Sequence, residues 1–193
     1  MTNNEVIQDF RVRMQEPYRE YLKNVSEMAP SLKTLELLLR LCTPGDSVLD
    51  LGTGFSSYVL RSYFGKLSLE ILSVDDNAGW LVKTKKYCDN KLCFDTGGFV
   101  PWNLLDSRCK GPVDIVFMDL GTTRRRVYYY GELLEKYCNE KTFILFDDMH
   151  KKVLHHALHQ ELKNYTYLDI PVMDITKDEF GRYCKLITRL RRK

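Results

Sequence analysis

The sequence predicts an α/β chain with a mostly parallel sheet between two helical layers, closed at its C-terminal end by an antiparallel hairpin. Three observations lead there. Short apolar, β-favouring runs recur along residues 47–146 with single helical patterns between them, the signature of parallel strands joined by crossover helices. Most of these runs finish at an acid, as expected where strands open onto a polar rim. The last two strand patterns are joined by a polar loop instead of a helix, which predicts a terminal hairpin and a mixed sheet.

Each element has its own warrant. Residues 5–25 carry apolar points at helical spacing, interrupted by Pro17, and predict one or two short amphipathic helices. Ala29-Pro30-Ser31 then breaks the chain, and Ser31 is placed to cap a leucine-rich helix over Leu32–Leu41. This sets residues 1–30 apart as an N-terminal helical lid or extension from a domain over 31–193. The turn Thr43-Pro44-Gly45-Asp46 leads into a strand at Ser47–Leu51 and a helix at 57–64. A strand at 69–74 ends in Asp75-Asp76 and precedes a helix at 78–88. A short third strand is expected at 91–94, with a helix or loop over 100–107. The strand at 113–118 ends in Asp119 and precedes a helix at 127–138. The strand at 142–146 ends in Asp147-Asp148 and precedes a helix at 149–164. Tyr165–Ile170 and residues 182–190 form the hairpin.

The bulk numbers narrow the class. The 193 residues fit one domain with a sizeable core, and 44% hydrophobic with 28% charged residues is ordinary for a globular chain. A net charge of +3 is too small to indicate nucleic acid by itself. Six cysteines are scattered without metal-ligand or redox spacing, which reads as a reduced, cytosolic protein. Residues 1–5 lack the pattern of a secretory signal, and no apolar run approaches the roughly 18 residues of a membrane span.

The most informative stretch is Ser47-Val-Leu-Asp-Leu-Gly-Thr-Gly-Phe-Ser-Ser57, a buried strand feeding a glycine turn and a helix. Gly52 and Gly54 permit positive φ and close ligand approach, and the following helix offers free N–H groups to an anionic group such as a carboxylate. Asp75 lies roughly twenty residues on, the spacing of an acid that accepts hydrogen bonds from a ribose diol. The turn lacks both the third glycine of a dinucleotide fingerprint and the Gly-Lys-Ser/Thr of a phosphate loop. Asp50, just before the turn, suits a cationic ligand better than a phosphate.

Val48-Leu-Asp-Leu-Gly-Thr-Gly54, with Asp75 and Asp119 at later strand ends and the closing hairpin, resembles the first motif and framework of the class I S-adenosylmethionine-dependent methyltransferases over residues 32–190. The resemblance implies a Rossmann-like three-layer sandwich with a mostly parallel seven-stranded sheet and an antiparallel C-terminal hairpin strand. It implies S-adenosyl-L-methionine as the methyl donor. Asp50 and the backbone of Gly52, Thr53 and Gly54 would hold the methionine end, with Ser56 near its carboxylate and Asp119 beside it. Asp75 would take the ribose, Asp76 or Asn77 would border the adenine, and Asp95 would reach the adenine amine. Trp80 and Trp102 are further candidates to edge the adenine.

Asp119 and the pair Asp147-Asp148 also resemble the ends of the fourth and fifth strands in catechol-type O-methyltransferases, where such acids bind magnesium. Asp119, Asp147 and Asp148 are therefore the candidate metal ligands. The alternative is that Asp147 and Asp148 cap the next helix. The catalytic lysine expected three residues after the fourth-strand acid is Thr122 here, so the candidate bases are Asp119, Asp147 and His150. His155, His156 and His159 read as a helix face. Arg124, Arg125 and Arg126 either bind an anionic acceptor or start a solvated helix.

The predicted activity is methyl transfer to a small-molecule acceptor, most simply at a hydroxyl, with or without a metal. The same fold also serves nucleic-acid methyltransferases, but Met118-Asp-Leu-Gly121 lacks the Asn/Asp-Pro-Pro-aromatic motif of the amino-group enzymes, and the Pro-Cys motif of cytosine-C5 enzymes is missing. A non-catalytic S-adenosylmethionine-binding protein remains the third reading.

Overall fold

A computed structural model describes residues 3–25 and 29–193. Met1, Thr2 and residues 26–28, which belong to the predicted 1–30 segment, lie outside the described residues. Seven strands form one sheet in the order β3-β2-β1-β4-β5-β7-β6. They are β1 (Ser47–Leu51), β2 (Glu70–Asp75), β3 (Phe99–Pro101), β4 (Ile115–Met118), β5 (Phe143–Phe146), β6 (Tyr165–Ile170) and β7 (Lys185–Arg192). The pairs from β3 through β5 are parallel, whereas β7 runs antiparallel to both β5 and β6. The chain moves outward from β1 to β3 and then returns to β4 on the other side of β1. The order therefore reverses between β1 and β4, where open α/β sheets leave a crevice at the carboxyl ends.

Strand alternation sorts the core into two layers. Ile115, Phe117 and Leu145 face one hydrophobic cluster with Val48, while Val116, Met118, Ile144 and Phe146 face the other with Leu49 and Leu51. Helices α1 (Asn3–Arg13), α2 (Gln15–Val25), α3 (Leu32–Leu41), α4 (Phe55–Leu67) and α5 (Ala78–Leu92) cover the first face. Helices α6 (Leu105–Arg108), α7 (Thr123–Lys136) and α8 (Lys152–Leu162) cover the second. A last short helix, α9 (Met173–Thr176), interrupts the loop between β6 and β7.

The N-terminal segment joins the first core. Val6, Ile7 and Phe10 of α1 are buried in it, and the rings of Tyr18 and Tyr21 on α2 lie 5.2 and 5.3 Å from that of Phe55. Pro17 does not break the helix as its position in sequence implies. It falls in the first turn of α2, where its missing N–H has no intrahelical partner to lose, and the chain breaks instead at Met14. Ser31 caps α3 as expected, its side chain accepting from the Thr34 N–H at 3.1 Å.

The third strand departs from the sequence reading. Residues 91–94 continue α5 and then turn at Cys93, whose φ is 59°. The strand lies at Phe99–Pro101, where the sequence predicted the beginning of a helix or loop. It is three residues long and pairs only with β2, so Pro101 costs the sheet little at an edge. None of the described helices is long and apolar enough to cross a membrane.

Phe55 ties the sheet layer to the N-terminal helices, being fully buried among Tyr18, Tyr21 and Tyr58. Phe55→Ala is expected to destabilise the protein by about 3–5 kcal/mol. Urea denaturation followed by circular dichroism measures it.

Candidate active site at the carboxyl rim

The glycine turn is shaped by its neighbours on both sides. The Gly52 N–H donates to the Val74 carbonyl at 2.8 Å, and the Asp119 N–H donates to the Leu51 carbonyl at 2.7 Å, so the chain ends of β2, β1 and β4 are stitched across the crevice. Gly52 has φ +97°, and a Cβ there would stand 2.4 Å from the backbone carbon and oxygen of Asp119. Only glycine fits. Gly54 then leads into α4, whose first-turn amides have no intrahelical partners.

Asp50 is placed differently from the sequence expectation. It is fully buried behind the turn and does not line the cavity. Its carboxylate accepts hydroxyl bonds from Ser56 at 2.8 Å, Ser57 at 2.6 Å and Ser73 at 2.6 Å. The Ser73 hydroxyl in turn accepts from Arg61 Nη1 at 2.7 Å. Burial pushes the Asp50 carboxyl above its ordinary range, and the three hydroxyl bonds oppose that rise. Asp50 thus fixes the start of α4 and presents Ser56 to the cavity from beneath. Ser57, Ser73 and Arg61 escaped the sequence reading; a polar Ser73 in the apolar run of β2 was the one visible hint.

The cavity above has a volume of about 580 Å³, within the range of roughly 300–1,000 Å³ usual for ligand pockets. Gly52, Thr53, Gly54 and Ser56 line one end with Asp75, Asp76, Asn77 and Trp80. Asp119, Asp147, Asp148, His150, Lys151 and Arg182 line the other. Asp75 receives the N–H and hydroxyl of Thr53, each at 2.9 Å, and the Asn77 N–H at 2.9 Å. Burial raises its pKa, against the pull of those bonds. A carboxylate has about four lone-pair directions, so accepting both hydroxyls of a diol requires the Thr53 hydroxyl to rotate away. Asp76 is held by Arg125 at 3.2 Å and by the Tyr129 hydroxyl at 3.3 Å. The Trp80 indole N–H donates to the Thr53 carbonyl, pinning the turn to α5. Trp102 instead stacks on Tyr129, with ring centroids 4.1 Å apart, and does not line the cavity. Asp95 is also away from the site: it precedes β3, is exposed, and pairs with Lys85 at 2.7 Å.

At the other end, ligand oxygens of Asp119, Asp147 and Asp148 lie within 4.8 Å of one another. Arg126, which is almost completely buried, enters this cluster. Its Nη2 reaches Asp119 Oδ1 at 2.7 Å and its Nη1 reaches Asp148 Oδ2 at 3.4 Å, while Lys151 Nζ holds the same Asp148 oxygen at 2.6 Å. No basic side chain forms an ion pair with Asp147 among the described residues. Burial, countered by Arg126 and reinforced by Asp148, pushes the Asp119 carboxyl up to about 6. Burial together with the charges of Asp119 and Asp148 pushes Asp147 well up too. Carboxyls this close share protons and titrate as a group.

His150 lines the same end, with Nδ1 buried, unbonded and 3.9 Å from Asp148 Oδ1. Burial lowers its pKa, so the ring is neutral at pH 7. The helix-capping alternative for the acid pair fails, because α8 starts after Lys151 and has no side-chain cap. His155, His156 and His159 are exposed on α8, as the sequence predicts. The arginine run is divided: Arg124 is exposed, Arg125 pairs with Asp76, and Arg126 is spent inside the acid cluster. Together they do not form the anion site that the sequence offered as one reading.

No family model and no curated protein sequence matches the chain. Solved structures do. The chain is similar to the precorrin-6y C5,15-methyltransferase of Geobacter metallireducens GS-15, with TM-score 0.59 and 13% identity over 85% of this chain and 92% of that one. It is similar to the methyltransferase PaMTH1 of Podospora anserina, solved with SAH bound, with TM-score 0.57 and 13% identity over 98% and 87%. The chain carries the Rossmann-like methyltransferase fold. The B. subtilis M1A22 tRNA methyltransferase TrmK shares it too, with TM-score 0.55 and 13% identity over 84% of this chain and 68% of that one. In this methyltransferase fold the cavity lies at the β1/β4 switch point, where the rule for open sheets puts a ligand.

Gly52→Ala is expected to cost about 1–3 kcal/mol or more, since it meets both the left-handed backbone and the wall of Asp119. A lowered thermal midpoint checks it; an unchanged midpoint contradicts this account of the turn.

Proposed function

We propose that this chain binds S-adenosylmethionine in the rim cavity and catalyses methyl transfer to a hydroxyl of a small polar molecule. The observation that carries the reading is the convergence, at the switch point of a methyltransferase fold, of the glycine turn, the open first turn of α4 and Asp75 in one cavity. S-adenosylmethionine supplies a methyl group on a sulfonium and departs as the neutral sulfide, S-adenosylhomocysteine. The donor set fits it: the open first-turn amides of α4 suit a carboxylate, and Asp75 suits a ribose diol. The acid-rich wall suits positive charge and disfavours phosphate.

The chain's own task is alignment and proton removal. Asp147 lines the cavity without an ion-pair partner among the described residues, and burial beside Asp119 and Asp148 makes its carboxylate a stronger base than an ordinary one. A hydroxyl acceptor placed against it gives up its proton to the carboxylate as its oxygen bonds the methyl carbon, while the carbon–sulfur electrons stay on sulfur. His150 lines the same end of the cavity and is the second candidate base. No Phe, Tyr or Trp side chain lines the acid end of the cavity among the described residues, which leaves a nucleic-acid base only His150 and Arg182 there to stack on.

Titration calorimetry with S-adenosylhomocysteine tests the cofactor. Binding is expected, with Asp75→Ala weakening it about 10–100-fold through loss of charge-assisted bonds. Binding of NAD in place of S-adenosylhomocysteine overturns the reading, and binding without turnover of any acceptor leaves a non-catalytic binding protein.

Once an acceptor is found, the rate is expected to rise with pH. Asp119 is raised to about 6 and Asp147 well above the ordinary carboxylate value, so the basic form grows as pH climbs above the ordinary carboxylate range and the rate then levels. Asp147→Asn is expected to lower kcat by about 100-fold or more. A pH–rate profile that keeps its inflection in this variant assigns the base elsewhere.

A further inference from the structure

We propose that Arg126 is the resident cation of the acid cluster, so that Asp119, Asp147 and Asp148 do not take up a divalent metal and methyl transfer here is metal-independent. The inference concerns the site of the proposed methyl transfer and rests on that reading for its catalytic half. Its binding half stands on geometry alone.

Three carboxylates from adjacent strand ends, with ligand oxygens within 4.8 Å, form a set that a magnesium ion uses in other proteins. Such an ion bonds carboxylate oxygens at about 2.0–2.1 Å. Here the guanidinium already lies between two of the three ligands, with Nη2 at 2.7 Å from Asp119 Oδ1 and Nη1 at 3.4 Å from Asp148 Oδ2. A dication on the same carboxylates would be pressed against a buried positive charge, where little water screens the repulsion.

Arg126 has no room to step aside. Its Nε donates to the Leu120 carbonyl at 3.1 Å, and its Nη2 donates to the carbonyls of Asp119 at 3.1 Å and Gly121 at 3.4 Å. Its Nη1 also reaches the Asp147 carbonyl at 3.5 Å. Swinging the side chain out would leave these carbonyls without their donor and strip the turn after β4 of its brace. Lys151 engages the same Asp148 oxygen as Arg126, so two cations already face three carboxylates. The surplus is a single negative charge, which a shared proton or a cationic ligand satisfies; a dication would overshoot it.

Arg126 is thus a positioning residue. It holds the acids of β4 and β5 at a fixed spacing, the work a metal performs where carboxylates are joined by one. The sequence shows the departure only at Thr122, where the catechol-type pattern has lysine; nothing there shows that an arginine four residues later folds back into the acids.

Manganese is the probe, with free ion read by electron paramagnetic resonance, and no acceptor is needed. The wild-type chain is expected to leave the free manganese signal unchanged up to millimolar ion. Arg126→Met is expected to take up one manganese per chain, and Arg126→Lys to behave like wild type. Tight uptake by the wild type that Asp148→Asn abolishes overturns the proposal, and so does a folded Arg126→Met variant that binds none. Should Arg126→Met fail to fold, the wild-type titration and Arg126→Lys still decide. S-adenosylhomocysteine calorimetry on the same samples reads the cofactor separately. A chain that binds neither ligand refutes the methyltransferase reading and leaves the assignment of Arg126 standing.

Discussion

Burying carboxylates at the edge of a sheet is the constraint that orders this molecule. A charged carboxylate moved away from water needs donors or cations close at hand, or it takes up a proton. The chain supplies two different answers on the two sides of β1. Behind the glycine turn, hydroxyls of Ser56, Ser57 and Ser73 surround Asp50. Across the crevice, the guanidinium of Arg126 and the ammonium of Lys151 serve Asp119 and Asp148. The first answer works through hydroxyls, with the Arg61 guanidinium behind Ser73, and it sets backbone. The second is ionic and opens on the cavity, so it sets the charge that a ligand meets.

Much of this architecture was legible in the sequence because its signals are local. β1, β2, β4 and β5 are apolar runs with an acid at or near the carboxyl end, and parallel strands buried on both faces read that way. The glycine turn announces itself through Gly52, whose φ and whose distance from Asp119 exclude any side chain. The helix at Leu32–Leu41 follows from its cap and its leucines. β3 was not legible, because three residues with one neighbouring strand carry almost no periodicity and Pro101 argues for a loop.

The site was legible in its members more than in their roles. Asp75, Asp119, Asp147, Asp148 and His150 all reach the cavity, as their positions after strands imply. Asp50 does not, and no local signal separates an acid that faces the ligand from one that faces inward. That choice is made by partners distant in sequence, above all Ser73 on the neighbouring strand. Arg126 was read with Arg124 and Arg125 as one charge run. On a helix, successive residues point about 100° apart, so three adjacent arginines meet three environments. Solvent takes Arg124, Asp76 takes Arg125, and the buried acids take Arg126.

That division bears on how the two ends of the cavity are held. Arg125 and Arg126 are neighbours at the start of α7, and one pairs with Asp76 beside the glycine turn while the other pairs with Asp119 and Asp148 in the acid cluster. The Thr122 cap fixes this first turn by accepting the Arg125 N–H, and Gly121 beneath it leaves room for Asp76, whose Oδ2 would be 3.0 Å from a Cβ there. The Arg125 pair joins an exposed guanidinium to a nearly buried carboxylate, whereas both partners are largely buried in the Arg126 pairs. Arg126 is therefore the more deeply held of the two arginines, and it keeps the carboxylates of the fourth and fifth strands in place.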